Sequence, residues 1–445
     1  MQHPTQIDDS LIAPTQPNIE LPANLRAEQK THKGTCMFCG EPLQHVFADL
    51  GATPLSNAYI KPEDLSNMEP FYPLRAYVCD KCLLVQLEEF ETPENIFSDY
   101  AYFSSYSDTL LQHAREWADT AVERFHLDGN SLVVEIACND GYLLKNFIAK
   151  HIPVHGVEPA ANVAEAARKL DIPVTVDFFG EQTATRMAQQ GLMADLMTAN
   201  NVVAHIPDIN DFIEGFRILL KPEGVATFEF HHVLQLMKNR AFDTIYHEHF
   251  CYHSLSTFSK ILEAHGLEVF DVEELSTHGG SLRVFAHHRG CKAHPVSQRV
   301  AKLLDKERAF GLQDLDTYTR FAGLIQDVKL DVLSYLIDAK KQGKQIVGYG
   351  APAKGNTLLN YFGIGPDILS YTVDRSPHKQ GRYLPGTRIP IHAPEKLRET
   401  QPDIVAILAW NLVDEIVQQV GYIREWGGKF ITLTPEIREV NGDRS

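Results

Sequence analysis

Thr244-Ile-Tyr-His-Glu-His-Phe-Cys-Tyr-His-Ser254 gathers three histidines, two tyrosines and one carboxylate into one short run, with apolar Ile245 and Phe250 between them. Imidazole titrates near neutral pH, so a positioned ring can take a proton and return it. A tyrosine or glutamate beside it can orient the ring or carry a neighbouring charge. The same residues would also suit a polar strand edge or a surface loop. In an extended segment His247 and His249 would share one face, opposite Tyr246 and Glu248. Spacing alone does not choose between the two histidines as a base.

A second pattern suits a metal. Cys36-Met-Phe-Cys39-Gly40 and Cys79-Asp-Lys-Cys82 are two Cys-x-x-Cys knuckles, which together offer four thiolates to one tetrahedral zinc. Four soft ligands leave no open position, so the site is structural. The interval between the knuckles exceeds that of a minimal ribbon, so a small sheet sits between them. Gly40 fits the tight turn after Cys39. Of seven cysteines, four fall in these pairs, which in an intracellular chain favours metal over disulfides.

A third pattern suits a nucleoside. Leu132-Val-Val-Glu-Ile-Ala137 reads as a buried strand, Cys138-Asn-Asp-Gly141 as a turn, and Tyr142 to Ala149 as a helix. Val154-His-Gly-Val157 is a second strand ending in Glu158, followed by a helix from Pro159. An acidic residue in that place accepts the two ribose hydroxyls of a bound nucleoside. The turn lacks GxGxxG, so the unit suits S-adenosylmethionine better than a dinucleotide with its pyrophosphate.

The elements that must position these groups follow from periodicity. A helix is predicted from Ser107 to Phe125. Further strands are expected at Val174–Asp177, Ala194–Ala199 and Val225–Phe230, and near 268–272 and 281–287, with helices at 211–220 and 255–266. Asn200 and His205 fall beyond the carboxyl end of a strand, where open α/β sheets bind ligands. His231 and His232 follow another strand, and a structural role suits them. Long helical patterns over 299–342 precede a second α/β unit. There Gln345–Gly350 is a strand and turn, and Ala351-Pro-Ala-Lys354-Gly355-Asn356-Thr357 starts a helix. Ile368–Val373 is a strand ending in Asp374, and Ile404–Ala409 and Lys429–Thr432 are further strands.

The 445 residues exceed one core's worth, and an apolar content of 44% is ordinary for a soluble protein. With 41 basic and 58 acidic residues the formal charge is −17, which argues against a nucleic-acid or anionic-membrane surface. No run of about 18 apolar residues appears and no secretory pattern is evident, so a cytoplasmic location is expected. The fold class is α/β. Residues 1–33 read as a flexible tail, 34–95 as a zinc-binding module, 96–298 as a Rossmann-like domain suited to S-adenosylmethionine and 299–445 as a second Rossmann-like domain. Composition is silent on oligomeric state.

The ordered set CxxCG, CxxC, Tyr100-x-Tyr102-Phe-Ser-Ser105, Glu135-Ile-x-Cys-Asn-Asp-Gly141, Ala204-His-Ile-Pro207, Ile245-Tyr-x-Glu-His-Phe250, His278-Gly-Gly280 and Gly350-Ala-x-Ala-Lys-Gly-Asn-Thr357 resembles the zinc-containing, S-adenosylmethionine-dependent C-methyltransferases of nucleotide-linked ketosugars. The resemblance runs from about residue 34 to the C-terminus. It implies methyl transfer to the carbon beside a sugar ketone, usually C3 of a 4-keto-6-deoxy sugar on dTDP. It assigns His249 as general base, with Tyr246, Glu248, His205 and one of Tyr100 and Tyr102 in the active site. Toward the methyl donor it points to the loop from Glu135 through Ala137 and Asn139 to Gly141. Glu158 would then take the ribose, Asp177 the adenine amino group and Asn200 the methionine part. The family usually has glycine where this chain has Ala137. Toward the sugar nucleotide, Lys354, Gly355, Asn356 and Thr357 suit a diphosphate at a helix start. Arg382, Tyr383 and His278 are further candidate contacts. Gly348, Gly350 and Gly355 with Asp374 also look like a degenerate dinucleotide site. Two other readings stand beside this one: an oxygen or nitrogen methyltransferase, and a zinc-ribbon binding protein with an inert methyltransferase fold.

Overall fold

The computed structural model describes residues 34–90, 105 and 108–440. The expected N-terminal tail and the tyrosines at 100 and 102 lie outside the described residues.

Strands β1 (His45–Thr53), β2 (Tyr72–Val78) and β3 (Val85–Leu87) form an antiparallel meander; β1 and β2 lie between the cysteine knuckles and β3 follows the second. The central seven-stranded sheet uses β4 (Val133–Ile136), β5 (Val154–Val157), β6 (Val174–Thr175), β7 (Ala194–Asn200) and β8 (Leu220–His231). A short strand β9 (Cys251–Tyr252) leaves this region and pairs with β3, so the first sheet takes its fourth strand from far downstream. Strands β10 (Leu267–Leu275) and β11 (Ser281–His288) complete the central sheet. Its order is β10-β11-β8-β7-β4-β5-β6, with β11 antiparallel to both neighbours and the other pairs from β8 to β6 parallel. Helices cover both faces of its parallel part, which is why Val133, Val134 and Ile136 are all buried. The expected third strand stops at Thr175, and Asp177 lies outside it.

The third sheet, β12 (Ile346–Tyr349), β13 (Thr372–Val373), β14 (Ile391–His392), β15 (Ile404–Ile407), β16 (Lys429–Thr432) and β17 (Arg438–Glu439), is ordered β14-β13-β12-β15-β16-β17. All its pairs but the last are parallel. The strand expected from Ile368 shrinks to two residues. The Ile368 and Leu369 N–H groups turn back to the Gly365 carbonyl instead. The helical pattern over 299–342 becomes Gln298–Phe310, Leu315–Thr319 and Phe321–Lys341. The first break falls at Gly311, whose φ of 96° ends the helix left-handed.

One hydrophobic core joins the first sheet to the C-terminal unit: Phe47, Leu74 and Val85 share it with Phe321, Val328, Leu358 and Leu384. Phe47 stacks on Phe321 with ring centroids 4.7 Å apart. The zinc-proximal sheet is therefore packed into the body of the protein. Among the described residues no helix is long and apolar enough to cross a membrane.

Candidate active site

The loop after β4 carries three left-handed residues, Ala137 (φ 52°), Asn139 (φ 50°) and Gly141 (φ 81°). Gly141 is needed sterically, since a Cβ there would lie 2.3 Å from Ile172. Ala137 keeps a conformation that glycine would hold with less strain. Glu135, Asp140 and Glu158 are all buried around this loop. Burial, and then Glu158 and Asp140, push the Glu135 carboxyl well above its usual range. One Glu135 oxygen, Oε2, is buried and unpartnered among the described residues. The Glu158 carboxylate accepts the Asn139 N–H at 3.0 Å and the Ala160 N–H at 2.9 Å, which fixes it at the end of β5. Asp140 accepts the Ser105 N–H at 3.0 Å, tying the segment that follows the two candidate tyrosines to this loop. A buried carboxylate with an unfilled acceptor, above a loop held open by left-handed residues, fits a ligand rich in hydroxyl and amino groups. Asn200 ends β7 and accepts from Thr198 Oγ1. Asp177 is ion-paired with Arg186 and accepts from Thr183 Oγ1 at 3.1 Å.

The chain after β7 turns through Val203–His205. This short helix brings His205 against His249, with ring centroids 4.7 Å apart. The 246–249 segment is not extended. His249 N–H donates to the Tyr246 carbonyl at 2.8 Å, closing a turn in which the first and fourth residues meet. Tyr246 and His249 therefore share one side, and His247 is sent away. His247 Nε2–H donates to the Pro73 carbonyl at 3.1 Å, and its ring meets the Tyr72 ring.

His249 Nδ1 lies 2.8 Å from the Thr244 carbonyl, which can only accept, so the proton sits on Nδ1. Nε2 then holds the lone pair, and the Tyr246 O–H donates to it at 2.9 Å. Burial holds the His249 ring well below its ordinary pKa, helped by His205 and Lys354, so it is neutral at pH 7. His205 Nδ1–H donates to the Glu248 carbonyl at 2.6 Å, and burial lowers that ring to about 4.

Two other regions reach this turn. From between β1 and β2, the Asn57 amide donates to Glu248 Oε1 at 2.7 Å. Its neighbour Tyr59 donates to the Ala351 carbonyl at 2.6 Å, and Asn356 Nδ2 donates to the Ser56 carbonyl at 2.6 Å. The loop is thus pinned between the C-terminal unit and Glu248. Burial pushes the Glu248 carboxyl up to about 7, while the Asn57 N–H opposes the rise. Replacing Asn57 with alanine removes a donor that favours the ionised form, so Glu248 should titrate at still higher pH. The acid inflection of the kcat/KM profile is expected near pH 7 and should move upward in Asn57→Ala. An inflection that stays in place would assign it to another group.

From the C-terminal unit comes Lys354, with its Nζ 5.9 Å from the centre of the Trp410 ring. Trp410 Nε1–H donates to buried Asp243 Oδ2 at 2.7 Å. Gly279 lies against the same indole, where a Cβ would stand 2.6 Å from Trp410. His278, left-handed at φ 54°, faces the His231 ring at 5.9 Å. The other residues of the expected diphosphate cradle point elsewhere. A Cβ on Gly355 would lie 2.9 Å from Leu408, so this glycine serves close packing. Asn356 and Thr357 are buried against Ser56. Tyr383 pairs by its backbone with Ile60, and Arg382 sits beside it in the same loop. Asp374 accepts the N–H groups of Ala351 at 2.7 Å and Ser376 at 2.8 Å. His232 is structural: it bonds Glu307 at 2.8 Å, and Glu307 also takes the Leu255 and Ser256 N–H groups.

The sulfur atoms of Cys36, Cys39, Cys79 and Cys82 lie within 4.8 Å of one another. Tetrahedral zinc with bonds of about 2.3 Å needs sulfurs about 3.8 Å apart. Cys36–Cys82 and Cys39–Cys79 each stand at 3.5 Å, so a small contraction or expansion seats the ion. Buried Gln86 donates to Cys36 Sγ at 3.2 Å and accepts the Met37 N–H at 2.7 Å, which orients the first knuckle.

Three family models match the chain: "Putative zinc binding domain" over residues 36–97, "Methyltransferase domain" over 110–272 and "C-methyltransferase C-terminal domain" over 276–435. The C-methyltransferase NovU of Streptomyces niveus is 36% identical over 408 residues, covering 92% of this chain and 97% of that protein. The chain belongs to this C-methyltransferase family. The C-methyltransferase uses S-adenosylmethionine as methyl donor, and its zinc-binding domain brings together four cysteines that suit zinc. Similarity also extends to a ubiquinone biosynthesis O-methyltransferase of Chelativorans sp. (strain BNC1), 34% identical over 95 residues, 21% of this chain and 37% of that one. An S-adenosylmethionine-dependent methyltransferase structure from Clostridium acetobutylicum aligns with TM-score 0.34 and 15% identity over 42% of this chain and 97% of that one. Family membership sets aside the oxygen or nitrogen acceptor and the inert zinc-ribbon protein. Asn57, Tyr59, Asp243 and Trp410 meet Glu248, Ala351, each other and the surroundings of Lys354, and no motif in the sequence singled them out. They stand alone in loops, far along the chain from any motif, and carry no local pattern.

Proposed function

We propose that this C-methyltransferase methylates C3 of a 4-keto-6-deoxy sugar carried on a nucleoside diphosphate, dTDP, through an enolate. The observation that carries the reading is the 246–249 turn. It presents one neutral imidazole of defined tautomer, His249, beside His205 at the carboxyl edge of the central sheet. S-adenosylmethionine, when bound, supplies an electrophilic methyl group. Glu135, the Ala137–Gly141 loop, Glu158 and Asn200 are the residues that would hold it.

Carbon becomes a nucleophile only after the proton α to a ketone is removed. His249 Nε2 takes that proton. Tyr246, which covers Nε2 in the free site, yields to the entering C–H and turns its O–H toward the carbonyl oxygen. His205 keeps the His249 ring in place, and Asn57 sets the Glu248 carboxyl group. The second Rossmann-like unit suits the nucleotide end of the substrate. On this reading 34–95 is the zinc module, 96–298 the donor domain and 299–445 the sugar-nucleotide domain, and the enzyme works in the cytoplasm.

The test is incubation with dTDP-4-keto-6-deoxyglucose and its deoxygenated relatives in deuterated water, with and without donor. Exchange of the C3 proton without donor, and methyl gain with it, are expected. Absence of both across the ketosugars would overturn the assignment.

A further inference from the structure

We infer that Lys354 acts on the reacting carbonyl: its ammonium donates to the ketone oxygen as that oxygen becomes an enolate. This rests on the ketosugar reading above and assigns the lysine a catalytic place rather than a phosphate contact.

Lys354 Nζ is buried and has no hydrogen-bond partner among the described residues. A buried ammonium without an acceptor is costly, and such a cost is kept where a ligand supplies the acceptor. What surrounds the charge speaks to the ligand. Burial lowers the lysine's pKa and the charge of Asp243 opposes that, while the Trp410 indole, held by Asp243, lies 5.9 Å from Nζ. His231, His249 and His278 all feel the lysine's charge, and each ring is held below its ordinary pKa chiefly by burial. One lysine among neutral imidazoles, an indole and a carboxylate is a poor counterpart for the two charges of a diphosphate. It is a good one for a single oxygen that gains charge only during reaction. The would-be helpers of a phosphate cradle, Asn356 and Thr357, are committed to Ser56.

The geometry also couples the cation to the base. Asp243 and Thr244 belong to one short helical turn, Phe242–Thr244. The charge of Asp243 favours the ammonium form of Lys354, and the Thr244 carbonyl holds His249 Nδ1. A single turn thus bears on both the group that removes the proton and the group that donates to the oxygen gaining charge. In the step itself, the α C–H breaks and its proton goes to His249 Nε2. The C–H pair becomes the C=C bond, and the carbonyl π pair moves onto oxygen, where the Lys354 N–H donates. No oxidant or reductant is needed.

Lys354→Met removes the charge at nearly constant volume, and Lys354→Gln keeps an N–H donor without it. Donor binding by calorimetry checks that both variants are folded. In Lys354→Met, C3 proton exchange and kcat are expected to fall about 10²- to 10³-fold. The KM for the ketosugar and the affinity for dTDP as probe should stay within a few-fold. Lys354→Gln should recover part of the exchange rate. Loss of dTDP affinity with exchange intact would make Lys354 a phosphate ligand and overturn the proposal, as would unchanged exchange and kcat. Failure of the wild-type protein to exchange any ketosugar proton would instead strike the substrate reading itself.

Discussion

His249→Asn should bind S-adenosylmethionine and dTDP as the wild type does and lose turnover by about 10²- to 10⁴-fold, the usual contribution of a positioned base. Asparagine places an amide nitrogen close to where Nδ1 sits, so the donation to the Thr244 carbonyl, 2.8 Å in the wild type, can persist. What disappears is Nε2 and its lone pair, the atom that the Tyr246 hydroxyl covers. The variant therefore separates the ring's structural bond from its chemical one. The measurement is C3 proton exchange in deuterated water together with kcat, with calorimetry for the two ligands. A near-wild-type exchange rate would move the base elsewhere. His205 would be the next candidate, because His247 is engaged with the Pro73 carbonyl on the other side of the turn. The wild-type profile should show no acid inflection from His249 near its ordinary pKa. Burial keeps that ring neutral well below 6.5, so an inflection near 7 is expected from Glu248 rather than from His249.

Cys79→Ser should cost the zinc, the fold of the first sheet and the activity together. Zinc binding to a four-thiolate site is folding free energy, of order 10 kcal/mol, comparable with the whole stability of a typical domain. The consequence spreads because the module is not an appendage. Strand β3 pairs with β9, the Leu87 N–H donates to the Phe250 carbonyl at 2.9 Å, and Phe250 and β9 directly follow His249 in the chain. Pro73 holds His247, and Asn57 holds Glu248. Loosening the sheet therefore loosens the catalytic turn from two sides. Zinc content, thermal unfolding and methyl transfer should fall together in the variant, and a chelator strong enough to strip the wild type should reproduce the loss. A zinc-free Cys79→Ser protein that is well folded and active would refute the structural role of the metal.

Much of this was legible in the residues themselves. The two Cys-x-x-Cys knuckles announce four soft ligands whatever lies between them, and the four sulfurs do converge. The runs at 404–409 and, Glu135 aside, 132–137 are apolar and rich in β-branched residues because strands covered on both faces have no polar side, so they are visible without any partner. Carboxylates at the ends of the first two strands are placed by the period of the βαβ unit, and Glu135 and Glu158 do flank one loop.

Only tertiary structure decided the rest. Whether His247 or His249 meets Tyr246 depends on the backbone between them. An extended chain and a tight turn give opposite answers, and the bond from His249 N–H to the Tyr246 carbonyl chooses the turn. That Asn57 touches Glu248, that Trp410 shields Lys354, and that β9 belongs to the zinc-proximal sheet are contacts between segments far apart in sequence. Periodicity reports which face of an element is buried and never what covers it. A lone asparagine or tryptophan in a loop has no period at all, so its partner is known only once the three sheets are packed together.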